Sequence, residues 1–118
     1  MLFVNYPKCT TCRKAKKFLE QKGTAFEDRN IKEQNPTAEE LTGWIAKSGL
    51  PVKRFFNTSG MLYREMGLKD KLPEMSEQEM IALLATDGML VKRPILVTDE
   101  TVLVGFKETE WENLLADI

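Results

Sequence analysis

At 118 residues, 42% of them hydrophobic and 30% charged, the chain has the length and balance of one soluble globular domain, too short for two independent cores. Seventeen basic side chains against eighteen acidic ones give a net charge of -1, which excludes the basic footprint of a typical nucleic-acid-binding domain. Two cysteines and no histidine exclude a Ser-His-Asp triad, a Cys-His pair, and a zinc site of three or four Cys and His ligands.

Leu2-Phe3-Val4 is a wholly apolar run that predicts a buried central strand. These first residues lack the positive start and long apolar stretch of a signal peptide, and no run is long enough to span a bilayer. Cytoplasmic residence with no membrane partner is expected, in a compartment that keeps thiols reduced. Tyr6-Pro7-Lys8 is a loop, followed by both cysteines. From Thr10 or Thr11 a helix is predicted, with Ala15, Phe18 and Leu19 on one face and Gly23 at its end. Thr24 to Ile31 reads as a second, more polar strand near an edge. Thr37-x-x-Glu40 is a capping box that opens a helix with Leu41, Trp44 and Ile45 inward, stopping at Ser48-Gly49. Residues 52 to 72 read as short helical pieces around an Asn57-Thr58-Ser59-Gly60 turn. Ser76-x-x-Glu79 opens a helix with Met80, Leu83 and Leu84 inward. Ile95-Leu96-Val97 and Val102-Leu103-Val104 form an antiparallel hairpin. Trp111, Leu114, Leu115 and Ile118 mark a last helix.

The order β-α-β, several helices, then β-β-α predicts an α/β, thioredoxin-like fold. It has a mixed four-stranded sheet and a helical insertion at about 34–90, all within a single domain over 1–118. Trp44 and Trp111 are expected in the core. Met61, Met66, Met75, Met80 and Met89 are expected to fill gaps, and Lys69-Asp70-Lys71 to be a solvated surface.

Cys9-Thr10-Thr11-Cys12 falls where a buried strand ends and a helix begins. The first N–H groups of a helix lack intrahelical partners and sit at the positive end of its dipole. A thiolate there is stabilised, so Cys9 is expected to be an exposed nucleophile of depressed pKa. Cys12, one turn along the same face, is placed to attack a mixed disulfide formed by Cys9. Arg93-Pro94 leads the strand at Ile95; in thioredoxin-like folds this proline is cis and lies against the active-site cysteines, beside a backbone edge that pairs with an extended thiol peptide. Arg93 then turns a five-donor fork toward the thiolate.

Tyr6-Pro7-Lys8-Cys9-Thr10-Thr11-Cys12-Arg13-Lys14-Ala15, Phe56-Asn57-Thr58-Ser59-Gly60, Tyr63-Arg64-Glu65-Met66-Gly67-Leu68, Lys92-Arg93-Pro94-Ile95 and Gly105-Phe106-Lys107 together resemble the arsenate reductase-related (ArsC/Spx) family. In its glutaredoxin-coupled arsenate reductases the cysteine matching Cys9 attacks arsenate, and glutathione and glutaredoxin complete the reduction. The resemblance implies Cys9 and Cys12 as the redox-active pair. Arg13, Arg93, Pro94, Thr10 and Thr11 are implied at the substrate or anion. Asn57 stands where the family carries one arginine, and Phe106-Lys107 near another, so that Lys107 offers a point charge without the fork. No bound cofactor or metal is implied. The co-reductant would be glutathione with glutaredoxin or thioredoxin, and the substrate a small oxyanion or a glutathione-type thiol. The alternative is resemblance to the Spx-type regulators, whose CxxC is a disulfide switch and which bind the C-terminal domain of the RNA polymerase α subunit rather than nucleic acid directly. The sequence ends Leu115-Ala116-Asp117-Ile118 without the longer basic tail associated with such regulators.

Overall fold

Leu2–Asn5 forms β1, and Phe3, Val4 and Asn5 are buried. A computed structural model describes residues 1–116. Thr10–Gln21 is α1, burying Cys12, Ala15, Phe18 and Leu19 and closing on Gly23, whose φ of +66° suits a residue without Cβ. Glu27–Asn30 is β2, shorter than the predicted strand and, as expected, at the edge of the sheet. Ile95–Val97 (β3) and Val102–Val104 (β4) complete a sheet ordered β2-β1-β3-β4. The β1–β2 pair is parallel, which requires the α1 crossover, and the other two pairs are antiparallel.

Register decides what each face packs against. Phe3 pairs with Leu96 and Val4 with Ile95, so the pleat sends the first couple to one side and the second to the other. Phe3 and Leu96 join Ala15, Phe18, Leu19 and Trp111 in one core cluster. Trp111 comes from the last helix, α6, Glu108–Ala116, and its indole N–H donates to the Gly105 carbonyl at 3.2 Å. Asp117 and Ile118, including the predicted inward Ile118, lie outside the described residues.

Val4 and Ile95 face the insertion, whose side chains Leu41, Trp44, Phe55, Phe56, Leu72 and Leu84 fill the larger cluster. Both predicted capping boxes form: Thr37 with Glu40 opens α2, Ala38–Ser48, and Ser76 with Glu79 opens α5, Glu77–Leu84. Between them lie a 3₁₀ turn over Val52–Phe55 and the short helices Met61–Glu65 (α3) and Leu68–Lys71 (α4). Met66, Met75 and Met80 pack on this core as expected, whereas Met61 is exposed. No helix among the described residues is long and apolar enough to cross a membrane.

The insertion returns to the sheet through a short antiparallel contact. Phe56 bridges Val91, the Asn57 N–H donates to Leu90 at 2.8 Å, and the Lys92 N–H donates to Phe55 at 2.7 Å. This contact sets residues 54–57 beside residues 90–93, immediately ahead of β3.

Candidate active site

Cys9 is the N-cap of α1, with extended backbone (φ -89°, ψ 122°). Its carbonyl accepts the first intrahelical bond, from the Arg13 N–H at 3.1 Å. Its sulfur stands where a Ser or Asp oxygen ordinarily caps, accepting from the Cys12 N–H at 3.4 Å. The loop holds this arrangement by a 2.9 Å bond from the Cys9 N–H to the Tyr6 carbonyl. Cys12 is buried, and its sulfur accepts from the Tyr6 N–H at 3.5 Å. Both cysteines are free thiols.

The two thiols are pushed apart electrostatically. Partial burial alone would raise the Cys9 pKa, but the Cys12 N–H, the Cys12 thiol and the Arg93 guanidinium together hold it below its ordinary value. Burial, reinforced by the neighbouring Cys9 sulfur, pushes Cys12 up to about 12. Cys9 is thus the more readily ionised of the two thiols, and Cys12 the one that holds its proton.

The Arg93-Pro94 peptide bond is cis. Arg93 lies over the Tyr6 ring, 5.2 Å from guanidinium carbon to centroid, and its Nη1 is buried with no hydrogen-bond partner. Pro94 is itself buried, and its carbonyl accepts from the Gly105 N–H at 2.8 Å, so the backbone there already continues the sheet.

A cavity of about 490 Å³ opens at Cys9. Of the residues singled out from sequence, it brings together Cys9, Thr11, Asn57, Arg93 and Lys107. Thr10, Cys12, Arg13 and Pro94 are not in its lining. Arg13 departs from the expected anion-facing position: it is exposed, and its Nε donates to the Pro7 carbonyl at 2.9 Å. That bond braces the loop before Cys9 rather than the cavity wall. Two lining cations, Arg54 and Lys92, are absent from the sequence reading. Lys92 has a visible signal, its position next to Arg93. Arg54 has none, because it reaches the site only through the long-range contact between residues 55–57 and 90–92. Gly60 also lines the wall; a Cβ there would stand 2.7 Å from Asn57 Nδ2, so the glycine leaves room for the Asn57 amide.

Arg54, Lys92, Arg93 and Lys107 line the cavity without any carboxylate. Among the described residues none of the four is ion-paired; the pairs formed are Lys16–Asp28, Lys22–Glu112 and Arg29–Glu40. Also among the described residues, no group of three or more His, Cys, Asp or Glu is placed to hold a metal ion. The arrangement can present a nucleophilic sulfur to an anion held by surrounding cations.

The model of the ArsC family matches residues 4–114. The chain superposes with a TM-score of 0.94 on an ArsC family-related protein from Bacteroides fragilis, with 59% identity, covering 96% of this chain and 95% of that one. An arsenate reductase from Vibrio cholerae gives a TM-score of 0.81 at 27% identity over 100% of this chain and 98% of that one. The regulatory protein MgsR from Bacillus subtilis is 29% identical over 93% of this chain and 86% of its own length. With the match running through both halves of the sheet, the insertion and the cysteine-bearing helix start, the chain belongs to the ArsC family.

Proposed function

We propose that the protein is a thiol-dependent oxidoreductase of the arsenate reductase type, with Cys9 as its nucleophile. The observation that carries this reading is the Cys9 sulfur itself. It caps α1, is held toward the thiolate form by the Cys12 N–H and Arg93, and opens into a cavity lined by four cations and no carboxylate. With a mixed disulfide as substrate, the Cys9 thiolate attacks one sulfur, a new S–S bond forms at Cys9, and the other sulfur leaves as a thiolate. With arsenate, the sulfur attacks As(V) and one oxygen departs as water. A second thiol then attacks the Cys9 sulfur, forming a disulfide, and the bond pair leaves with arsenic as arsenite, As(III).

Cys12 is the resolving thiol. Burial and the neighbouring Cys9 sulfur keep Cys12 protonated; once Cys9 is bonded, the Cys9 part of that influence is gone while burial remains, and Cys12, one turn away, attacks the Cys9 sulfur as its proton leaves. Arg93 steadies the charge at sulfur, and Thr11, Asn57 and Lys107 meet the rest of the anion. Glutathione, with glutaredoxin or thioredoxin, regenerates the dithiol in a reducing compartment.

The test is turnover by purified protein given glutathione, glutaredoxin and either arsenate or a glutathione mixed disulfide. Activity on at least one substrate is expected, and Cys9→Ser should remove it by orders of magnitude. Equal turnover by Cys9→Ser protein would overturn the assignment.

The similarity to MgsR favours one second reading, a redox-sensing regulator in which the CxxC is a switch. It predicts stoichiometric association with the RNA polymerase α C-terminal domain, altered by oxidation and without turnover. A pull-down showing no association in either redox state removes it.

A further inference from the structure

An inorganic oxyanion of five heavy atoms, at roughly 30 Å³ each, occupies at most about a third of a cavity of about 490 Å³. Two of the four cations, Arg54 and Lys92, also border a second recess, of about 290 Å³, that opens beside the first. Pro51 and Phe56 contribute to its walls, together with Thr58 and the side chains of Lys53, Arg54 and Lys92, so its surface is mostly carbon. The two spaces therefore share a wall that carries two unpaired positive charges. The sulfur chemistry lies on one side of that wall and an apolar surface on the other. A bare oxyanion has no group to place in the recess.

We infer that Arg54 and Lys92 form a second anion subsite, and that the site is built for an organic disulfide whose arm carries a carboxylate on an apolar body. The reacting S–S bond lies at Cys9 beside Arg93, the carboxylate meets the Arg54–Lys92 wall, and the carbon skeleton lies in the recess against Pro51 and Phe56. Arg54 supplies a bidentate fork suited to a carboxylate, and Lys92 a point charge. The short backbone contact between residues 55–57 and 90–92 brings the segments that carry the two cations together, and both side chains line both spaces. This inference rests on the reading of Cys9 as nucleophile and adds the substrate class to it.

The experiment uses two chromogenic disulfides in a Cys12→Ser background, where reaction stops once Cys9 is joined to one arm and the other arm leaves as a thiolate. Dithiobis-nitrobenzoate carries a carboxylate on each aromatic arm, whereas dithiodipyridine is neutral. The ratio of their rate constants at Cys9 is the readout, because a change in thiol reactivity or folding moves both reagents together. Arg54→Gln with Lys92→Gln is expected to lower the ratio about tenfold, through weaker saturation by the nitrobenzoate reagent. Lys14→Gln, which removes one charge from the exposed face of α1, is expected to leave the ratio unchanged. An unchanged ratio in the double variant, or an equal fall with Lys14→Gln, overturns the subsite while leaving the nucleophile assignment intact. If the unsubstituted residues give neither reagent an advantage over an ordinary thiol, the nucleophile reading falls and the subsite falls with it.

Discussion

Cys9 owes its reactivity to donors rather than to a base. With no imidazole in the chain, the Cys12 N–H, the Cys12 thiol and the Arg93 guanidinium must together outweigh the cost of partial burial. Arg93→Met removes one of these influences, so the Cys9 pKa should rise and iodoacetamide alkylation at neutral pH should slow several-fold. Arg13→Met should change that rate little, because its Nε is engaged by the Pro7 carbonyl. The CxxC and Arg93 are visible in sequence because adjacency along the chain sets their chemistry: a helix start is local, and a residue before a strand-leading proline is local. Arg54 is not visible, since its place in the site depends on residues more than thirty positions away. Arg13 misleads for the opposite reason. Its place in the helix is right, but its Nε is engaged by the Pro7 carbonyl of the preceding loop and it does not line the cavity.

Helix α2 shows at the level of an element how far local signals reach. Its capping box and its end are both legible, because Thr37, Glu40 and Gly49 act on backbone groups a few residues away. What the pattern does not contain is Arg29, which reaches across from β2 to Glu40 and lies 5.8 Å from the Trp44 ring. Its hydrogen bonds, with the Thr37 N–H adding to them against partial burial, hold the Glu40 carboxyl below the usual carboxylate range. A depressed carboxyl contributes stability that is complete above its unfolded pKa of about 4.3. That contribution is lost as pH falls through the folded value. Glu40→Gln should therefore flatten the acid limb of a urea-denaturation series across this range. Gly43 lies in the same helix, exposed, with ordinary φ and nothing within 4 Å of the position a Cβ would take. Gly43→Ala should stabilise the protein by about 0.5–1 kcal/mol, read as a higher urea midpoint. β2 is shorter than the strand read over Thr24–Ile31 because only Glu27–Asn30 falls in register with β1, whose four residues are Leu2–Asn5.

Across the whole molecule the two faces of one sheet divide the work. The Phe3–Trp111 side is closed by α1 and α6, and the Val4–Ile95 side by the insertion that also carries Arg54 and Asn57 to the site. The cysteines couple this fold to pH with opposite signs. Cys12, pushed up to about 12 by burial and by Cys9, stays protonated while an unfolded thiol ionises near pH 8.5. Its contribution is complete below about pH 8.5 and declines as pH rises toward 12. Cys9, with a depressed pKa, contributes above the ordinary thiol value and loses that contribution as pH falls through its folded one. Unfolding at pH values between about 8.5 and 10 should show a steeper loss of stability in the unsubstituted protein than in Cys12→Ala. The most direct test of a thiolate held by a helix start and an arginine is the pH–rate profile of Cys9 alkylation, followed by mass spectrometry of the modified peptide. The expected result is a single titration at Cys9 with its midpoint clearly below the ordinary thiol value of about 8.5, with Cys12 unmodified throughout. A midpoint at or above that value would contradict it.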